Sequence, residues 1–297
     1  MIEHIEQGTP QIRPIKTRPA RTTWPKSGAV PYKIVCVDPV PVQTVSKPSE
    51  PIRAKLPSAI PYVNKIKNNP VDVLVALTTW KGRIFNENFP INLWSLLHQK
   101  TRFRYRVVLT LSEEEFGVNF RLPSGIDKLY QYFDNFEVLY TGRNTKALKN
   151  YNPVNRKYPK LPIIVVGDDT IYDDALVETV YGTYLDSDRH TAFGAYLANS
   201  SPKYGILSPY RIRIFPPYSM YDLDEYYFEK YFYGHNDLFN GLRLRLNHTK
   251  VQKANWDGLW HDSFAQEVRL TEYHRRPETE VIDNFLNSHP HIRSLLQ

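Results

Sequence analysis

From residue 71 onward the apolar positions come in short, nearly unbroken runs: Val71–Thr79, Arg106–Leu111, Phe136–Tyr140 and Pro162–Val166. Runs of this length, rich in β-branched residues, predict strands covered on both faces. Between them the spacing changes. Phe89, Ile91, Leu93, Trp94, Leu96 and Leu97 predict a packed helix over Asn88–Gln99. Ser112 before Glu113–Glu115 predicts a helix start, with a capping hydroxyl and acids at the positive end of the dipole. Asp173–Tyr184 predicts another helix, and 218–233, with eight aromatics in sixteen residues, reads as a tightly packed one. Strands alternating with helices predict an α/β fold: a Rossmann-like, mostly parallel sheet flanked by helices. Ligands of such sheets bind beyond the carboxyl ends of the strands. Thr78–Arg83, Thr141–Lys146 and Gly167–Tyr172 all follow strand ends and are expected to converge on one rim.

The first 70 residues follow another rule. They hold 12 of the chain's 23 prolines, 11 Lys and Arg, and 4 Asp and Glu. Each proline removes a backbone donor and restrains its predecessor, so this part reads as an irregular, basic extension. One short apolar run, Tyr32–Val37, is a candidate edge strand. The chain's net charge of +7 is the charge of this extension alone, because residues 71–297 hold 27 basic and 27 acidic side chains. Two domains are therefore expected, the extension 1–70 and an α/β domain 71–297. The extension suits an anionic membrane surface better than a nucleic acid. The single cysteine, Cys36, excludes a disulfide framework. No apolar run reaches the ~18 residues of a membrane span, and residues 1–30 lack the apolar core of a signal peptide. The expected location is cytoplasmic, at most peripheral to a membrane.

The sharpest local chemistry is Ile163–Tyr172, where an apolar strand delivers Asp168 and Asp169 into a loop. Adjacent carboxylates at such a place are costly unless solvated or shared by a cation. Oxygen ligands of this kind suit Mg²⁺ or Mn²⁺. An acidic turn capping the next helix is the plain alternative. The same residues resemble a polymerase motif, but 227 residues are too few for fingers, palm and thumb.

A wider set of segments resembles a family of GT-A type glycosyltransferases. The set comprises Leu77–Ile84, Ser95–Gln99, Leu111–Phe116, Asn144–Lys146, Tyr158–Pro162, the acidic loop and His235–Gly241. In that family the loop reads Asp-Asp-Asp-x-Ile-Tyr, a form of the DxD motif. Here Gly167 stands at its first position. The resemblance implies a nucleotide-sugar donor, a glycan or other hydroxyl acceptor, and a divalent cation (Mn²⁺ or Mg²⁺) at Asp168 and Asp169. It places Thr78, Thr79, Arg83 and Lys146 with them on the donor, where the two cations face phosphate oxygens. Asp237 is implied as the general base of an inverting transfer. Tyr218 and Tyr221 are candidates for stacking on an acceptor sugar, and His248 or His261 for a late metal ligand. Gly167, which breaks the DxD spacing, leaves a second reading open: a non-catalytic GT-A-like domain that binds a glycan or a partner.

Overall fold

The computed structural model describes residues 70–261 and 276–297. The basic extension up to residue 69, with its candidate strand at Tyr32–Val37, lies outside the described residues.

In chain order the elements are β1 (Val73–Thr78), α1 (Lys81–Ile84), α2 (Phe89–Leu97), β2 (Tyr105–Ser112), α3 (Glu113–Phe116), α4 (Ser124–Tyr132) and β3 (Phe136–Thr141). A 3₁₀ turn over Lys146–Asn150 leads to α5 (Asn152–Lys157), β4 (Ile163–Val165), β5 (Ile171–Tyr172) and α6 (Leu176–Leu185). Next come β6 (Ala192–Ser201), β7 (Ile206–Phe215), α7 (Glu225–Tyr231) and α8 (Asn236–Leu246). The described chain ends in β8 (Val251–Lys253), β9 (Trp260–His261), α9 (Glu278–Ser288) and α10 (Pro290–Ser294).

Seven strands form one sheet in the order β3-β2-β1-β4-β7-β6-β8. β3, β2, β1 and β4 are parallel neighbours. β7 then runs antiparallel to both β4 and β6, and β8 is parallel to β6. The result is the expected α/β fold with a mostly parallel sheet.

Alternate residues of β1 enter different cores, as the two-residue period of a strand requires. Val73, Val75 and Leu77 pack with α2, α4 and α6. Leu74 and Ala76 pack with Tyr151, Val154 and Leu244 on the other face. α7 to α10 bury a further cluster around Phe228, Phe232, Phe239 and Phe285. Gly241 lets α8 lie close on β7, since a Cβ there would meet Ser208, Ile206 and the Leu207 carbonyl.

Three expectations change. The sixteen-residue aromatic helix shrinks to α7, because Pro216 and Pro217 precede it and Tyr218 adopts φ 57°. Asp224 caps it instead, accepting from Tyr226 N–H at 2.8 Å. Asp173 and Asp174 precede α6 rather than opening it, and Asp173 accepts from Ala175 N–H. Ser112 ends β2 with its hydroxyl making no cap, so α3 is a single turn. The acids of that turn bind elsewhere: Glu114 accepts from Asn144 N–H at 2.7 Å and Glu115 from Lys81 N–H at 2.9 Å. Among the described residues no helix is long and apolar enough to cross a membrane.

Candidate active site

A cleft of about 630 Å³ opens where β1 and β4 end, a size ordinary for a small-ligand site. Three walls meet there. The first follows β1, with Thr78, Thr79, Trp80 and Arg83. The second is the turn after β3, with Asn144, Lys146, Lys149 and Asn150. The third comes from β7 and the start of α8, with Tyr210, Arg211, Arg213, Asn236 and Asp237. Gly167–Thr170 lies among them, and Trp260 closes one side. The structure therefore brings Thr78, Thr79, Arg83, Lys146, Asp168, Asp169 and Asp237 together in one place.

It does not bring Tyr218 or Tyr221. β7 is antiparallel to β4, with Phe215 opposite Ile163 and Arg213 opposite Val165. Chain that leaves β7 after Phe215 is at the amino end of β4, away from the cleft. Tyr218 is exposed there, and Tyr221 N–H donates to the carbonyl of Arg243. Neither tyrosine lines the cleft. Nor do the two histidines: His248 follows α8 and the exposed His261 ends β9.

The acidic loop is pinned from below by a residue the sequence reading passed over. Asn92 is fully buried on α2, and its amide donates to the carbonyls of Gly167 (3.2 Å) and Thr170 (2.5 Å). Tyr172 closes the loop, since its hydroxyl accepts from Gly167 N–H at 2.8 Å. Burial pushes that phenol well above the ordinary tyrosine range.

Asp168 is buried and ion-paired through Oδ1 to Arg83. Burial raises its pKa to about 6, while the Arg83 charge and the Thr79 hydroxyl pull the other way and Asp169 pushes it up. Its Oδ2 is buried as well. Asp169 occupies the space that a side chain at 167 would fill: its Oδ1 lies 2.8 Å from where a Cβ on Gly167 would stand. That same oxygen accepts from the Thr170 hydroxyl at 3.2 Å.

These residues do not fit the expected divalent cation. One carboxylate is paired through one oxygen to a guanidinium and is buried, and the first position of the motif has no side chain. Among the described residues no three His, Cys, Asp or Glu side chains come together as a metal cluster.

Two further ion pairs frame the cleft. Lys149 is buried and donates to Glu115 at 2.8 Å. Burial holds its pKa below the ordinary lysine range, and the charge of Lys146 adds to this. On the opposite wall Arg213 donates to Asp237 Oδ1 at 2.6 Å, and the Asn236 amide donates to the same oxygen at 2.8 Å. Asp237 sits in the first turn of α8, where the helix dipole favours a carboxylate.

Two cleft residues have left-handed backbone despite carrying side chains: Lys146 (φ 53°) and Arg211 (φ 69°). Such residues cost about 1–2 kcal/mol each. The Asn144 carboxamide oxygen accepts from Lys146 N–H and fixes that turn. Arg211 falls where the pairing of β6 with β7 slips, and its guanidinium lies 5.6 Å from the Trp260 ring centroid.

Glu115, Lys149, Arg211 and Arg213 all escaped the sequence reading. For the two arginines a signal existed, in the alternation Arg211-Ile212-Arg213-Ile214. That is the period of a strand with one charged face.

No family model matches the chain, and no curated protein matches it. Solved structures do. TarS 1–349 of S. aureus shares 13% identity over 64% of this chain and 59% of its own, at a TM-score of 0.40. The mannosyltransferase PcManGT from Pyrobaculum calidifontis, in complex with GDP-Man and Mn²⁺, shares 11% over 67% and 59%, at 0.44. A cytidylyltransferase from Leptospira borgpetersenii shares 13% over 75% and 95%, at 0.39. The chain thus spans about 59% of the length of the first two. At these identities and TM-scores none of them assigns a function to it.

Proposed function

We propose that residues 71–297 form a GT-A type glycosyltransferase domain. It takes a nucleoside-diphosphate sugar in the cleft and moves the sugar to a hydroxyl of a glycan or similar acceptor. One observation carries this reading. Among the described residues five cations (Arg83, Lys146, Lys149, Arg211 and Arg213) line a single cleft at the carboxyl ends of parallel strands, together with the half-exposed carboxylate of Asp237.

The chemistry follows from that arrangement. Asp237 Oδ1 is held by Arg213 and Asn236, which leaves Oδ2 to accept the proton of the acceptor hydroxyl. The acceptor oxygen forms the new bond to the anomeric carbon. The bond from that carbon to the phosphate oxygen breaks, and the nucleoside diphosphate leaves with the electron pair. A base on the face opposite the leaving group gives inversion. Cations along the phosphate path stabilise the charge that develops on the leaving oxygen. Tyr210 and Trp260, rather than Tyr218 and Tyr221, offer aromatic faces within the cleft.

A donor-hydrolysis screen over UDP-, GDP- and CDP-sugars tests the reading. Turnover that falls in Asp237→Asn supports it, and no turnover with any donor contradicts it. The second reading, a non-catalytic glycan- or partner-binding domain, draws on Gly167 and on the capture of Asp168 by Arg83. It predicts no hydrolysis together with intact glycan binding.

A further inference from the structure

We infer that the cleft holds a diphosphate without a divalent cation, and that Lys146 and Arg211 are the clamp that takes the cation's place. This rests on the glycosyltransferase reading and adds how the donor's charge is met.

Few carboxylate oxygens are left for a metal. Asp168 gives Oδ1 to Arg83 while its Oδ2 is buried without a hydrogen-bond partner, Gly167 offers no ligand, and Asp169 folds over Gly167 toward the Thr170 hydroxyl. Among the described residues four acids line the cleft, Glu115, Asp168, Asp169 and Asp237, against five cations. An empty cation site is an excess of negative charge waiting for a metal; this lining has the opposite balance.

Not all five cations are equally available. Arg83, Lys149 and Arg213 each have a carboxylate partner. Among the described residues Lys146 and Arg211 line the cleft with no such partner. Arg211 rests instead on the Trp260 ring. Among the described residues five non-glycine residues have positive φ, namely Lys146, Arg189, Arg211, Tyr218 and His248, and the two that line the cleft are the two cations without a carboxylate partner. Strained backbone persists where surrounding structure enforces it, and it gathers at binding sites. Here it sets one cation on each of two walls, one in the turn after β3 and one in mid-β7. Arg presents a planar fork and Lys a mobile point charge, which together suit the two phosphates of a nucleoside diphosphate. Lys149 stands behind Lys146 as a buried charge already balanced by Glu115.

Calorimetric titration of the full chain with UDP, GDP and CDP, in EDTA and then in excess Mn²⁺, decides the matter. At least one nucleotide should bind in EDTA with a Kd within about twofold of its value in Mn²⁺. Lys146→Gly and Arg211→Gly are compatible with the left-handed backbone and remove the charged side chain. Each should weaken that binding by about tenfold or more, as expected for a lost charged hydrogen bond. Arg189→Gly, a left-handed residue away from the cleft, should not change it. Binding that appears only with Mn²⁺ overturns the inference while sparing the glycosyltransferase reading. Binding in EDTA that survives both charge removals overturns the clamp. No binding of any nucleotide in either buffer overturns the glycosyltransferase reading, and the clamp falls with it.

Discussion

Two ion pairs face each other across the cleft with similar chemistry and different surroundings. On one wall Lys149 and Glu115 are 2% and 16% exposed at their side chains. On the other Arg213 is 9% exposed and Asp237 41%. A closed pair of the first kind must stay intact, because removing one partner strands a charge in a poor solvent. A half-open pair of the second kind keeps its carboxylate within reach of water and substrate. The first pair joins α3 to the turn that carries Lys146. The second presents the carboxylate proposed as the base. Ion pairs of similar length, 2.8 and 2.6 Å, thus differ in what they leave open to solvent.

The sharpest way to break this comparison is to neutralise one acid on each wall. Asp237→Asn should lower transfer by about 10²–10⁴-fold, the usual worth of a general base. The same change should cost about 1 kcal/mol of stability, less than a buried pair loses, since the carboxylate is substantially exposed and the new amide still offers the poorly exposed Arg213 an oxygen. Glu115→Ala should do the reverse in urea unfolding, with a loss of about 3 kcal/mol. Lys149→Met placed beside Glu115→Gln should recover most of that loss, because no buried charge is then left alone. Equal stability losses at the two positions would erase the distinction.

How much of this was legible in the sequence depends on the same division. β1, β2, β3 and β4 lie among the central and first-edge strands and are covered by helices. Their near-continuous apolar runs announced them, and the loops after them delivered Thr78, Arg83, Lys146 and the acidic pair. β6 and β7 gave no such signal. Their run carries Gly194, Asn199, Pro209 and two arginines, and the pairing slips twice. A hairpin of that composition resembles loop until its partners are known, and with it went Arg211 and Arg213. Glu115 and Lys149 are 34 residues apart, and only the folded chain brings them together. Asp237 was legible only through the resemblance of His235–Gly241 to the glycosyltransferase family, and its tie to Arg213 was not legible at all.

A third change sharpens the comparison within the first wall. Arg83 lowers the pKa of Asp168, although burial prevails and leaves it at about 6. Native Asp168 thus holds its proton more tightly than the unfolded chain does, whose value is 3.8. Between roughly pH 4 and 6 the native state binds the extra proton, so this group's contribution to stability falls as pH rises through that window. Arg83→Met removes the opposing charge and should carry the titration midpoint upward by about 1 pH unit or more. Carboxyl-carbon NMR of Asp168 reads this directly, and stability measured against pH should keep falling above 6 in the variant. A midpoint unmoved or lowered would mean that the ion pair does not govern this carboxylate.

The smallest effect belongs to the end of the sheet opposite the cleft. Tyr218 is 63% exposed and follows β7 at the amino end of β4. Tyr218→Ala removes a ring that covers little, so unfolding should change by within about 0.5 kcal/mol. Donor binding should not move, and neither should competition by a glycan acceptor. The contrasting change is Tyr210→Ala, whose ring lines the cleft and stacks on Tyr196 at 5.4 Å. If aromatic faces hold the acceptor sugar, loss of Tyr210 weakens acceptor saturation by about tenfold, a value ordinary for one aromatic contact of about 1 kcal/mol or more. A response at Tyr218 with none at Tyr210 would put the acceptor at the wrong end of the sheet for Asp237 to reach its hydroxyl, and the base assignment would fall with it.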